Sequence, residues 1–257
     1  MELVDSHCHL DVAEFDPDRD AVVARARAAG VAAQIVPAIE AATWSALERV
    51  CAPGSGLFPA YGLHPVFLSR HADDALDWLE RWLAAHDAVA VGECGLDHFV
   101  EGLDRARQQR LFEGQLAIAR EAALPVIVHA RRAVEEVIHA IRRFPGVRGV
   151  VHSYGGSAEQ ARQLHDLGFL VGLGGPVTYD RARRLRRLAA ELPIEQLLLE
   201  TDAPDQPDAA HRGQRNEPAR LRRVLDAVAA LRGQSPETLA EATTANARAL
   251  FRLPVAP

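Results

Sequence analysis

Short apolar runs alternate with longer amphipathic segments along the whole chain, and this alternation constrains the fold more than any other feature. Each apolar run has the length of a buried strand, and each amphipathic segment has the length of a helix. Eight runs predict strands over residues 3–7, 33–37, 57–63, 88–93, 126–129, 149–152, 169–173 and 197–200. Helices are predicted over residues 18–29, 42–51, 72–86, 103–122, 133–144, 158–167, 181–192, 218–231 and 236–250.

Strands that alternate with helices predict an α/β protein built on a parallel sheet. Eight such units in 257 residues predict a single TIM-type (β/α)8 barrel, with one domain over residues 1–257. An open doubly wound sheet is the alternative, and it would be expected to carry a glycine-rich turn after its first strand. Residues 5–11 instead read DSHCHLD, which cannot cradle a phosphate in that way, so we expect the barrel.

Five of the predicted strands end in side chains that can bind a metal ion. In a barrel the carboxyl ends of all strands open at one mouth, where the chemistry takes place. We therefore expect these side chains to meet in a single site. They are His7, His9, Glu93, His129, His152 and Asp202.

The four histidines are predicted to form two pairs of ligands. His7 and His9 are two residues apart on a predicted strand, so both rings should face the barrel interior and can share one cation. His129 and His152 each close an apolar run and would form the second pair. The alternatives are solvated loop histidines for the first pair and hydrogen-bonded core histidines for the second.

Two carboxylates, Glu93 and Asp202, follow apolar runs and are expected to be buried. A buried carboxylate needs a compensating partner, which two divalent cations or a salt bridge would supply. Mixed nitrogen and oxygen ligands suit zinc, manganese, cobalt or ferrous iron, whereas magnesium prefers oxygen ligands only. We expect two divalent cations, with zinc first and manganese or magnesium as alternatives. All 29 basic residues are arginine, so the chain cannot bridge two metals with a carboxylated lysine, as some barrel hydrolases do. Glu93 is therefore the candidate bridge.

Six motifs, in order along the chain, resemble those of the TatD family of metal-dependent deoxyribonucleases. They lie at residues 5–11, 62–65, 92–97, 129–131, 152–157 and 200–204, and the resemblance runs from residue 4 to about residue 251. It implies a TIM barrel in which His7 and His9 hold one metal, His129 and His152 hold the second, and Glu93 bridges them.

The resemblance also implies the catalytic roles and the activity. Asp202 would complete the metal site and position or deprotonate the attacking water, and His64 would contact the substrate phosphate. The implied activity is the removal of nucleotides from the 3′ ends of single-stranded DNA, and also of RNA.

Further residues near the predicted mouth are candidates for substrate binding. Arg131 follows a proposed ligand by two residues and could neutralise charge on a phosphoryl oxygen. Tyr154 could stack on a terminal base, with a packing role as the alternative. Residues 180–187 carry five arginines, which either contact phosphate or form a solvated helix face.

Charge and hydropathy narrow the class of partner. The formal net charge of −6 argues against a protein that binds long duplex tracts. It is compatible with single-stranded nucleic acid ends as substrate. The alternative is a metal-dependent hydrolase of a small ester, amide or lactone, and the full ligand set argues against a catalytically silent binding protein. No apolar run approaches the roughly 18–20 residues of a membrane span, and no secretion signal is recognisable. We therefore expect a cytoplasmic protein with no membrane contact and no obligate protein partner.

Overall fold

Eight parallel strands lie side by side in chain order in the computed structural model, which describes residues 1–254. Each strand pairs in parallel with the next one along the chain. The strands are β1 (Leu3–Asp5), β2 (Val31–Pro37), β3 (Leu57–Tyr61), β4 (Ala90–Asp97), β5 (Val126–Arg131), β6 (Gly149–Val151), β7 (Phe169–Leu173) and β8 (Leu197–Leu199).

Helices follow the strands on the outside of the sheet. They are α1 (Arg19–Ala28), α2 (Trp44–Val50), α3 (Ala75–Ala85), α4 (Arg105–Glu121), α5 (Val134–Ile141), α6 (Ala158–Asp166), α7 (Arg183–Glu191), α8 (Leu221–Arg232) and α9 (Pro236–Phe251). The architecture confirms the predicted single TIM-type (β/α)8 barrel. Among residues 1–254, no helix combines the length and the apolar character that crossing a bilayer would require.

Several strand ends differ from the sequence prediction. β1 ends at Asp5 and β3 at Tyr61, so the histidines that follow them lie in loops at the mouth. β4 instead continues to Asp97, because its last residues pair with the end of β5 through Asp97 and Arg131.

Two apolar clusters hold the barrel together. The larger one fills the space between the strands and the surrounding helices. The smaller one joins side chains such as Val4, Ile35 and Ile127 from the strands to Leu250 and Phe251 at the end of α9. Packed side chains are the usual filling of a TIM-barrel interior. We infer that α9 closes the floor of the barrel and that the polar residues occupy the opposite end.

Hydrogen bonds next to the mouth connect β1 to β8. The backbone N–H of Asp202 donates to the carbonyl of His7 at 2.9 Å. The backbone N–H and the hydroxyl of Thr201 both donate to the carboxylate of Asp5, at 3.0 Å and 2.6 Å. We call these three contacts the seam. They bring the segments that follow the first and the last strand to one place.

Candidate metal centre

Glu93 lies at the middle of a polar cluster in the barrel mouth. It projects from β4, and only 1% of its side chain is exposed. Five histidine nitrogens lie within 3.4 Å of its two carboxylate oxygens. These nitrogens belong to His7, His9, His64, His129 and His152.

Glycines on either side of Glu93 explain how β4 can bring it there. A Cβ atom on Gly92 would lie 2.7 Å from the Cβ of Ile127, and one on Gly95 would collide with the carbonyl oxygen of His129. Gly95 also has φ of +132°, which side chains rarely tolerate. The two glycines therefore let β4 pack tightly against β5, with Glu93 held between them.

One carboxylate oxygen of Glu93 faces what we call the first half of the centre. Its Oε2 lies 3.1 Å from His7 Nε2 and 3.4 Å from His9 Nε2. Asp202 Oδ1 completes this half, at 3.5 Å and 3.7 Å from the same two nitrogens. Asp202 has φ of +54°, a strained conformation for a residue other than glycine and one that is concentrated at functional sites. The seam holds Asp202 in this position.

The two histidines of the first half converge although β1 ends before them. The intervening Cys8 is fully buried, and its N–H donates to the carbonyl of Ile35 at 3.0 Å. His9 Nδ1 lies 3.1 Å from the carbonyl oxygen of Pro37. The Nε2 atoms of His7 and His9 are 3.1 Å apart. The prediction that both residues lie on the strand is wrong, whereas the structure does bring the two rings together.

The other carboxylate oxygen of Glu93 faces the second half of the centre. Its Oε1 lies 2.8 Å from His152 Nε2, 2.9 Å from His129 Nδ1 and 3.0 Å from His64 Nε2. His64 is also fixed from behind, because its Nδ1 accepts the N–H of Val66 at 3.1 Å. His64 therefore contacts Glu93 directly, in addition to facing the space where a substrate would bind.

The cluster fits a pair of divalent cations. Glu93 Oε2 is buried and accepts no hydrogen bond from the described residues, which is costly for a carboxylate that has no cation beside it. Burial raises the pKa of Glu93, but His152, His64 and His7 together hold it well below its ordinary value, so the group is anionic. Burial and the neighbouring His152 lower the pKa of His7. Burial also lowers the pKa of His9 and of His152, but Glu93 outweighs it and raises these values to about 9 and about 10. Cations bound here would therefore displace protons from these two rings, because a histidine ligand is neutral.

Three sets of three ligand atoms lie within 4.8 Å of one another, one in each half and one that spans both halves. The sets are His7, His9 and Asp202; His64, Glu93 and His129; and His7, Glu93 and His152.

Comparison with known proteins agrees with this chemistry. The family model described as TatD related DNase matches residues 4–252. The chain belongs to the TatD family. It is 40% identical over 254 residues to the uncharacterized metal-dependent hydrolase YjjV of Escherichia coli K12, covering 98% of each chain. The crystal structure of YjjV matches with a TM-score of 0.94, at 39% identity and 98% coverage of both chains.

A relative with a more specific name is the 3′-5′ ssDNA/RNA exonuclease TatD of Klebsiella pneumoniae. It is 34% identical over 264 residues, and the match covers 98% of this chain and 99% of the relative. Together these matches make the protein a TatD-family metal-dependent hydrolase.

Asp97 is a residue of this TatD site that the sequence analysis did not identify. Its Oδ2 lies 2.8 Å from His129 Nε2, on the side of the ring away from Glu93. The other oxygen, Oδ1, accepts the N–H groups of Phe99 and Val100. Burial raises the pKa of Asp97, but the hydrogen bond with His129 helps to hold it below its ordinary value. A carboxylate in this position fixes the orientation of a ligating ring and raises its basicity.

A second buried acid, Glu200, lies behind His152. Its Oε1 accepts the N–H of Ser153 at 2.5 Å and is 3.8 Å from His152 Nδ1. Burial raises the pKa of Glu200 to about 8. Gln206 supports the first half in a similar way, because its amide donates to Asp202 Oδ2. The centre therefore has polar support on both sides.

The mouth of the TatD barrel opens into a cavity of about 1310 Å³. Arg131 and Arg132 line this cavity. Five of the six candidate ligands line it too, namely His9, Glu93, His129, His152 and Asp202. Arg131 is exposed, and its guanidinium carbon lies 3.7 Å from the centre of the Phe99 ring. The structure thus places Arg131 where it can reach a substrate.

The position of Tyr154 argues against the prediction that its ring stacks on a base. The residue is only 2% exposed, and its hydroxyl donates to the carbonyl of Ser157 at 2.7 Å. Tyr154 also lines a smaller cavity of about 360 Å³ beside the mouth. Its burial and its hydrogen bond favour the packing role, and the stacking role stays a prediction.

Proposed function

We propose that this TatD protein is a binuclear hydrolase that removes nucleotides from the 3′ end of single-stranded DNA, with RNA as a second substrate. The observation that carries the proposal is the division of the Glu93 carboxylate between two sets of histidine nitrogens at the base of a large cavity. The name of the Klebsiella relative supports the choice of substrate. The single domain over residues 1–257 and the cytoplasmic location stay predictions.

The cofactors of the proposed reaction are two divalent cations, with zinc as the first choice and manganese or magnesium as alternatives. The first half would hold one and the second half the other, with Glu93 shared between them. Such cations lower the pKa of water and neutralise charge on the oxygens of a phosphodiester. The ligands would be His7, His9, Glu93, His129, His152 and Asp202.

Asp202 is the proposed proton acceptor for the attacking water. Its Oδ1 faces the first half, whereas Gln206 holds its Oδ2. Burial raises the pKa of Asp202, which makes the carboxylate a stronger base.

Two side chains are proposed to bind the scissile phosphate. The Nε2 atom of His64 points into the second half, within reach of a phosphate oxygen that approaches Glu93. Arg131 lines the cavity and can bring a charge-assisted hydrogen bond to a second oxygen. Together the two groups would offset negative charge that builds up during attack.

The test is to follow the length of a 5′-labelled, 3′-overhanging oligonucleotide on a gel. Metal-stripped protein is reloaded with zinc or manganese and compared with Asp202→Asn treated in the same way. We expect a ladder that shortens from the 3′ end with metal, and a rate lower by on the order of 10²–10⁴ in the variant, as for loss of a general base.

The alternative is a hydrolase of a small ester, amide or lactone, which the net charge of −6 keeps open. Oligonucleotides should compete with small substrates if the enzyme is a nuclease and should have no effect otherwise. Absence of shortening with any metal, while small esters still turn over through Asp202, would contradict the nuclease proposal and retain the hydrolase.

A further inference from the structure

A second cavity, of about 360 Å³, adjoins the mouth. It shares Ser153, Gly155 and Arg184 with the main cavity. Ser153 directly follows the ligand His152, and consecutive Cα atoms are about 3.8 Å apart, so the two cavities meet beside the second half of the centre. We call it the arginine cavity. Its arginines are Arg181, Arg183 and Arg184.

These arginines are not neutralised by acids within residues 1–254. Within residues 180–187, Arg186 forms an ion pair with Asp180 at 3.6 Å, but Arg186 does not line the cavity. Arg184 donates to the carbonyl of Gly155, and Arg181 lies over the ring of Tyr179. Three uncompensated positive charges therefore line one small cavity in a chain whose net charge is −6.

The backbone at this cavity also favours an anion. α7 begins at Arg183, its N-cap residue Ala182 provides no side-chain hydrogen bond, and the first turn contains no acid. The start of a helix carries a partial positive charge and unpaired N–H groups, so arginines there repel that end. A bound phosphate would relieve the repulsion and accept hydrogen bonds from the helix and from the guanidinium groups.

The two cavities adjoin at Gly155. A Cβ atom added to Gly155 would meet no atom within 4 Å. A strand that is degraded from its 3′ end has one terminal nucleotide at the metal centre, and the rest of the strand must leave along the surface. The free space beside Gly155 lies on the route from the metal centre to the arginine cavity.

We propose that the arginine cavity binds the backbone phosphate that precedes the scissile one on the 5′ side. The inference rests on the proposed nuclease function and adds to it a subsite for the continuing strand. Because the cavity would recognise phosphate rather than a base, it would act on strands of any sequence.

The test compares Arg181→Ala/Arg183→Ala with the control Arg110→Ala/Arg187→Ala. The control removes the same number of positive charges from exposed positions that line neither cavity. Binding of a fluorescent oligonucleotide is measured by anisotropy over about 50–200 mM salt, with both pairs placed in metal-loaded Asp202→Asn protein, which should not cut the probe. For the cavity pair we expect affinity weaker by on the order of tenfold and a salt slope reduced by about 0.7 per lost phosphate contact.

The second measurement compares the kinetics on two substrates, an oligonucleotide and a small diester, in protein that retains Asp202. The KM for the oligonucleotide should rise about tenfold in the cavity pair, with a several-fold smaller effect on bis(p-nitrophenyl) phosphate, which has no upstream phosphate. An equal loss of activity on both substrates would show that the arginines support the structure of the site in general. That result would overturn the inference.

The remaining outcomes separate the subsite from the nuclease function. If the wild-type protein shortens oligonucleotides but the cavity pair behaves like the control, the subsite is refuted and the nuclease stands. If the wild-type protein hydrolyses the small diester and neither binds nor shortens oligonucleotides, the nuclease and the subsite both fail.

Discussion

Replacing Thr201 by valine tests how strongly the seam stabilises the barrel. The Thr201 hydroxyl donates to Asp5 Oδ2 at 2.6 Å, and the two residues are 1% and 0% exposed. Valine has nearly the same shape and no hydroxyl, so a buried carboxylate oxygen would lose its donor. Burial raises the pKa of Asp5 to about 7, so the carboxylate is charged at about pH 8–9 and the measurement is made there. A hydrogen bond to a charged group contributes about 1.5–3 kcal/mol, and we expect the free energy of unfolding to fall by about that amount.

The assay is thermal unfolding of metal-stripped protein, so that metal binding does not contribute to the difference. A chain of 257 residues has an unfolding entropy of about 0.5 kcal/mol/K, and the expected loss therefore lowers Tm by about 3–6 °C. Thr201→Ser is the matched control, because it keeps the hydroxyl and loses only a methyl group, worth about 0.8 kcal/mol. A valine variant as stable as the wild type, or a serine variant less stable than the valine variant, would refute the reasoning.

Three further predictions concern other parts of the molecule. Hydrogen bonds from Arg215 lower the pKa of Asp18 to about 2, so the stability from this pair should be lost as the pH falls from 3.8 towards 2. An NMR titration should show the pKa rising in Arg215→Ala, and an unchanged value would contradict this. Tyr154→Phe removes one hydrogen bond and should cost about 0.5–1.5 kcal/mol without changing the KM for oligonucleotides; a raised KM would restore the stacking role. In Gly172→Ala the new Cβ would overlap Glu200 Oε2 and lie 2.6 Å from its Cδ. We expect the free energy of unfolding to fall by about 1–3 kcal/mol and the protein to retain less metal after dialysis. Wild-type stability and wild-type metal retention would show instead that Glu200 can move aside.

The barrel and the convergence of the six predicted ligands could be derived from the sequence for one physical reason. Parallel strands deliver all their carboxyl ends to one mouth, so a ligand a few residues past a strand still arrives there. β1 ends at Asp5 rather than at residue 7, yet His7 and His9 meet. An error in a strand boundary therefore does not displace the site.

Side chains whose position depends on tertiary packing could not be derived in the same way. Asp97 lies on β4 four residues after Glu93, and it would have been found if the strand had been extended, since alternate residues share a face. The contact of His64 with Glu93 depends on a loop beyond β3, for which the sequence has no periodic signal. The burial of Tyr154 depends on its bond to Ser157 and is equally invisible in the sequence.

The seam joins residues 196 positions apart, Asp5 and Thr201, and in doing so it sets the order in which the centre can be completed. The first half draws His7 and His9 from one end of the chain and Asp202 from beyond the last strand. Both segments therefore have to be present before this half can exist. The first half is therefore complete only when the segment that follows β8 has docked against the segment that follows β1.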